Sequence, residues 1–216
     1  MGYTHYWYRP KTIHPATFRK IVADFKKLVP VLEEKYGVRL AGPGGEGDPI
    51  INDDEVSFNG PIHCGHQKNY ELHIPWPSDD AGGVMIEGGG ISGKWYAGVM
   101  VNTRMCNGDC SYESFVFERK RIPYGDWDVP RENGLYFDFC KTAFRPYDLA
   151  VTAFLIIAKH YLGDKIVVKS DGEDTHWFDA KLLCQMELSY GMEYKINDKG
   201  ELIPVPSDGN KNVEKV

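Results

Sequence analysis

From Pro146 to Tyr161 the chain reads PYDLAVTAFLIIAKHY, helical in pattern and apolar on almost every face. A helix of that kind is stable in water only when other layers cover it all round. This one segment therefore demands a sheet and further helices around it. A chain of 216 residues, 42% of them hydrophobic, is long enough to supply that cover within one domain.

The covering elements are readable on both sides. GYTHYWYR, from Gly2 to Arg9, has a period of two that places Tyr3, His5 and Trp7 on one face and Thr4, Tyr6 and Tyr8 on the other. With aromatic rings on both faces it reads as an interior strand. Pro15 suits the first position of a helix, and Phe18, Ile21, Val22, Phe25, Leu28, Leu32 and Tyr36 recur at helical spacing until Gly37. Pro30 lies inside that pattern and predicts a kink or break near Lys26 to Val29.

Residues 42–93 are rich in Gly, Pro, Asp and Asn, with short strand-like pieces at Ile50 to Ile51, Val56 to Phe58 and Leu72 to Trp76, and read as a loop-rich insert. Lys94 to Arg104 and Tyr112 to Lys120 read as two strands of a hairpin turning at Asn107-Gly108. Leu135 to Cys140 is a strand, and the apolar helix, stopped by Gly163, leads to a short strand at Ile166 to Lys169. That order resembles a crossover unit. Phe178, Leu182, Met186 and Tyr190 mark a last helix ended by Gly191. The expected fold class is α+β, a mixed, mainly antiparallel sheet with helices packed on it. It forms a single domain over residues 1–203, followed by a mobile polar tail over 204–216.

A formal charge of -6 and a pI near 5.6 argue against a general nucleic-acid or acidic-membrane binder. The N-terminus lacks a basic-then-apolar leader, and the longest apolar stretch, Leu149 to Ile157, is too short to span a bilayer. The expected location is the cytoplasm. Met1-Gly2 does not announce myristoylation, because Tyr6 stands where that motif has Ser or Thr. Five cysteines without a secretory signal read as reduced thiols or metal ligands, with Cys184 a core residue. The segments MGYTHYW, NTRMCNGDCSYE and FDFCKTAFRPYDLAVTAFLIIAKH together resemble a group of uncharacterised bacterial and bacteriophage proteins over nearly the whole chain. The resemblance implies a phage or mobile-element context and brings neither mechanism nor catalytic residues.

Two constellations carry chemistry. In FCKTAFRPYD, Lys141, Thr142 and Arg145 lie between a strand and a helix N-terminus, where free N–H groups and the helix dipole favour an anion. His5 and Tyr6 of the first strand join them as candidate ligand-binding residues for a small anionic, phosphorylated or nucleotide-like molecule. Alternatively, Lys141 and Arg145 pair with Asp138 and Asp148, and Thr142 caps the helix. Cys140 at the same turn is a candidate nucleophile with His5 or His176 as base, if the helix end lowers its pKa, and a buried core thiol otherwise.

The second constellation is Cys64 and His66 in HCGH with Cys106 and Cys110 in CNGDC. Two ligand pairs from separate loops suit a structural zinc, although the spacings depart from the usual C-x-x-C knuckle. A Cys106–Cys110 disulfide and unremarkable thiols are the alternatives. The acidic run Asp171, Glu173, Asp174 and Asp179 with His176 reads as helix capping. Trp76, Trp95, Trp127 and Trp177 read as core or loop plugs rather than a stacking platform, and a net charge of -6 does not support a single-strand groove. Two functions follow: a small-anion binder or enzyme centred on Lys141 and Arg145, or a non-enzymatic accessory protein whose metal-stapled loops meet a protein partner.

Overall fold

The computed structural model describes residues 2–67, 70–72, 84–88, 91–96, 99–102, 104–106, 108–131 and 133–205. In chain order they form β1 (Thr4–Arg9), α1 (Pro15–Tyr36), β2 (Ile50–Ile51), β3 (Glu55–Phe58), β4 (Tyr70–Leu72), β5 (Val84–Gly88), β6 (Ile91–Tyr96) and β7 (Val99–Asn102). Next come β8 (Arg104–Cys106), β9 (Phe115–Glu118), β10 (Tyr136–Lys141), α2 (Asp148–Leu162), β11 (Val167–Ser170), α3 (Phe178–Leu188), β12 (Tyr194–Ile196) and β13 (Leu202–Pro204). The fold is α+β, and every strand pairing among the described residues is antiparallel.

The aromatic first strand is interior, as its two-faced pattern requires. β1 lies between β10 and β11, with Trp7 opposite Asp138 on one side and Val168 on the other. β10 and β11 consequently run parallel, joined through α2 with β1 inserted between them. That is the expected crossover with a strand in its middle. His5, Trp7 and Arg9 point inward and are buried, while Tyr6 and Tyr8 lie half-buried on the outer face.

α2 is the centre of the molecule. Every side chain from Asp148 to Lys159 is buried, against α1 and α3 among others. Phe154 meets the rings of Phe25, Phe115 and Phe117 at 5.2, 5.0 and 5.0 Å. Burying such a ring contributes roughly 1.5–3 kcal/mol. One apolar cluster runs from Trp7 through both ends of the chain to Leu202.

Several expectations need correction. The predicted hairpin across Asn107-Gly108 does not form: β8 pairs with β4, and β9 pairs with β3. The reason is burial, since only beside Val56 and Phe58 do Phe115 and Phe117 reach the core. β3, placed in the insert by composition, is thus a core strand. α1 continues through Pro30 without a break, because Pro30 faces solvent and the lost donor leaves a carbonyl that water can satisfy. The apolar helix starts at Asp148 rather than Pro146, after two tight turns. α3 ends at Leu188, and its inward face is Asp179, Ala180, Leu183 and Cys184, while Met186 is exposed. Trp127 is also exposed rather than a plug. Pro204 belongs to β13, which extends the ordered chain past the expected start of the tail. The predicted pieces at 73–76, with Trp76, and at 206–216 lie outside the described residues, as does the side chain of Trp95. No helix among the described residues is long and apolar enough to cross a membrane.

Candidate metal centre

Cys64 and His66 follow β3 on a loop that turns at Gly65, whose φ of 75° is a left-handed conformation natural to glycine. Cys106 ends β8 and Cys110 lies on the connection to β9. The loops meet because Asn59, wholly buried, stitches them together. Its Oδ1 accepts from the Gly60 and Tyr112 amides at 2.8 and 3.1 Å, and its Nδ2 donates to the Tyr112 carbonyl at 2.9 Å. The Cys110 amide donates to the Pro61 carbonyl at 3.2 Å. At Gly60 the two backbones approach so closely that a Cβ would lie 2.0 Å from the Cys110 carbonyl oxygen, which only glycine permits. Sequence reasoning missed Asn59; the signal was the dipeptide Asn59-Gly60, which does not stand out in a region rich in Asn and Gly.

The result is a set of four ligand atoms, three sulfurs and one imidazole nitrogen, all within 4.8 Å of one another. Cys64 Sγ lies 3.4 Å from Cys106 Sγ, and His66 Nδ1 lies 3.3 Å from Cys110 Sγ. Ligands at tetrahedral positions about 2.3 Å (S) and about 2.0 Å (N) from a zinc ion are themselves separated by roughly 3.5–3.8 Å. The four residues predicted from sequence therefore converge and can bind a metal. All five cysteines are free thiols, so the Cys106–Cys110 disulfide does not form. Burial pushes the Cys106 and Cys110 thiols up, and neighbouring sulfurs push Cys110 further. On Cys64 burial is outweighed by the His66 backbone donor and the two neighbouring thiols, so its pKa falls. Crowded sulfurs of this kind are what a divalent cation relieves, by balancing the charge that the thiols take on when they ligate it. His63 points to solvent and takes no part.

Compared with protein-family models, curated proteins and solved structures, the chain matches none. Its chemistry must be read from its own residues.

The strand-to-helix turn is organised around an internal anion. Asp148, buried at the start of α2, receives Arg104 Nε at 2.9 Å, the Thr142 hydroxyl, and His5 Nε2 at 2.7 Å. An ionised carboxylate only accepts, so His5 Nε2 carries the hydrogen. Burial alone would raise the Asp148 carboxyl, but the charges of His5 and Arg104 and the bonds from His5 and Thr142 hold it at about 2. Arg104 also forks onto Asp179, where burial outweighs that pairing and pushes the carboxyl up. The turn's backbone donors are occupied as well: the amides of Thr142 and Ala143 both donate to the Tyr3 carbonyl, and those of Asp148, Leu149 and Ala150 to the turn preceding α2. Ala143 and Phe144 adopt φ of 49° and 56°, a strained pair at the same turn.

Of the residues expected to receive an external anion, His5 and Thr142 are thus committed to Asp148. Lys141 and Arg145 are half-buried, and neither pairs with Asp138 or Asp148. Lys141 lies on the outer side of the sheet and His5 on the inner, so the two do not line one cleft. Tyr6 is also on the outer face, bonded to Asp171 at 3.0 Å. Cys140 is buried, and burial pushes its thiol up, the reverse of what a nucleophile needs. His176 closes a capping box with Glu173, and burial lowers its pKa. The acidic run serves structure: Asp174 pairs with Lys181, Asp179 with Arg104, and Asp171 with Tyr6 and the Thr4 amide.

Proposed function

We propose that the protein is a non-enzymatic binding module whose loop region is held by one structural zinc ion on Cys64, His66, Cys106 and Cys110. The observation that carries this reading is the convergence of four soft and borderline donors from two separate loops. Four protein ligands fill a tetrahedral shell and leave no open position for substrate, which marks a staple rather than a reaction centre. The buried, mutually paired state of His5, Asp148, Thr142 and Arg104 supports the same conclusion, because none of these groups reaches a solvent-accessible substrate. An accessory role with a protein partner, in a phage or mobile-element setting, accords with a module of this kind.

Native mass spectrometry with elemental analysis of protein purified without added metal tests the reading. The expected result is one zinc per chain, lost in Cys106→Ser and Cys64→Ser, with the melting temperature falling when a strong chelator removes the ion. A metal-free chain whose melting temperature ignores both chelator and added zinc overturns it.

A further inference from the structure

The outer face of the β10-β1-β11 sheet carries a surface that neither the core nor the metal centre uses. The strand register sets its side chains in rows: Phe139, Tyr6 and Lys169 across one, Phe137, Tyr8 and Val167 across the next, with Lys141 and Thr4 beyond. The rings touch. Phe137 lies 5.8 Å from Phe139 and 6.2 Å from Tyr6 with planes within 23°, and 5.3 Å from Tyr8. Phe139 is 53% exposed. Beside this face the segment 121–131 lifts Trp127, 76% exposed, over a cleft of about 720 Å³ that Phe137, Phe139, Val129 and Arg131 help to line. Tyr6, Tyr8 and Phe137 are half-buried, so Phe139 and Trp127 are the exposed rings of a contiguous aromatic patch, the kind of surface that marks a binding site.

Charge selects the occupant. The guanidinium of Arg131 lies 5.8 Å above the Phe137 ring, and Lys141 Nζ lies 5.4 Å above Tyr112. Neither these two nor Lys169 forms an ion pair with a carboxylate among the described residues. Of the acids nearby, Asp128 and Asp138 hold Arg121 at 2.6 and 2.9 Å, Asp171 takes the Tyr6 hydroxyl and the Thr4 amide, and Glu113, which also lines the cleft, takes the Lys141 amide at 2.8 Å. Flat apolar rings bordered by uncommitted cations complement flat heterocycles joined by phosphates. We propose that this face binds a short stretch of single-stranded nucleic acid, with bases stacked on Tyr8 and Phe139 and phosphates held by Arg131, Lys141 and Lys169. The net charge of -6 opposes any long-range attraction, so affinity comes from stacking, which a duplex with its bases inside cannot offer. The inference rests on the reading of the protein as a binding module and is independent of the zinc ion, which the metal analysis tests separately.

Fluorescence anisotropy of labelled uridine and thymidine decamers and of a duplex decamer, at about 50 and about 200 mM salt, tests the proposal. Single strands are expected to bind roughly 10-fold or more tighter than the duplex, and Phe139→Ala to weaken that binding about 10-fold. Lys141→Ala should lower the slope of log affinity against log salt by about one. Phe139 is exposed, so its variant keeps its melting temperature and decides the test. Absence of single-strand binding, equal duplex binding, or unchanged affinity in Phe139→Ala overturns the proposal. So does a free mononucleotide that competes as well as the decamer, which would make the ligand a nucleotide. Self-association abolished by Phe139→Ala, with no oligonucleotide bound, would instead make the face an interface between copies.

Discussion

Asp148 is the residue on which the buried charge converges, and its carboxylate does the work that the sequence reserved for an incoming anion. Its folded pKa of about 2 lies below the ordinary carboxylate value, so ionised Asp148 contributes stability above about pH 4. The contribution, on the order of 2 kcal/mol, is lost as pH falls from about 4 toward 2. Carbon-detected NMR of the labelled carboxyl should show a midpoint near 2, and a normal midpoint near 4 would contradict the network. The sequence offered Asp148 as a partner for Lys141 or Arg145 and was silent on Arg104, whose partners are 44 and 75 residues away in sequence. Spacing along a chain cannot reveal a pairing that only the fold creates. The metal ligands were legible for the opposite reason, because cysteine and histidine are scarce enough for four of them in two short motifs to stand out.

At the scale of elements, periodicity served well where one face or every face is apolar, as in β1, α1 and α2. It failed where polar burial overrides the pattern. α3 turns Asp179 inward to meet Arg104 and leaves Met186 in solvent, while Phe178, Leu182 and Tyr190 of the apolar stripe still pack on the core. The hairpin failed because a good turn dipeptide fixes a local reversal, not the strand beside which each arm lies. In α1, Pro30 occupies an exposed interior position of a continuous helix. Pro30→Ala restores one backbone bond and removes the ring clash, and should stabilise the protein by about 1–3 kcal/mol. Urea denaturation measures this directly, and an unchanged midpoint would mean that the proline's rigidity in the unfolded chain offsets the gain.

At the scale of the molecule, one apolar cluster joins residues from Trp7 to Leu202 around α2. Far-ultraviolet circular dichroism and tryptophan fluorescence should therefore report the same single thermal transition, and two separated midpoints would show that the molecule is not one cooperative unit. The central position of β1 also sets an order of events during synthesis. β1 leaves the ribosome well before both its neighbours, β10 and β11, which lie beyond residue 135. At about 5–20 residues per second, roughly 8–30 s pass before the second neighbour emerges. For that interval a strand bearing Tyr6, Trp7 and Tyr8 has neither edge covered, and the nascent chain depends on α1, the helix that follows it, or on a chaperone to keep those rings from pairing with another copy of themselves.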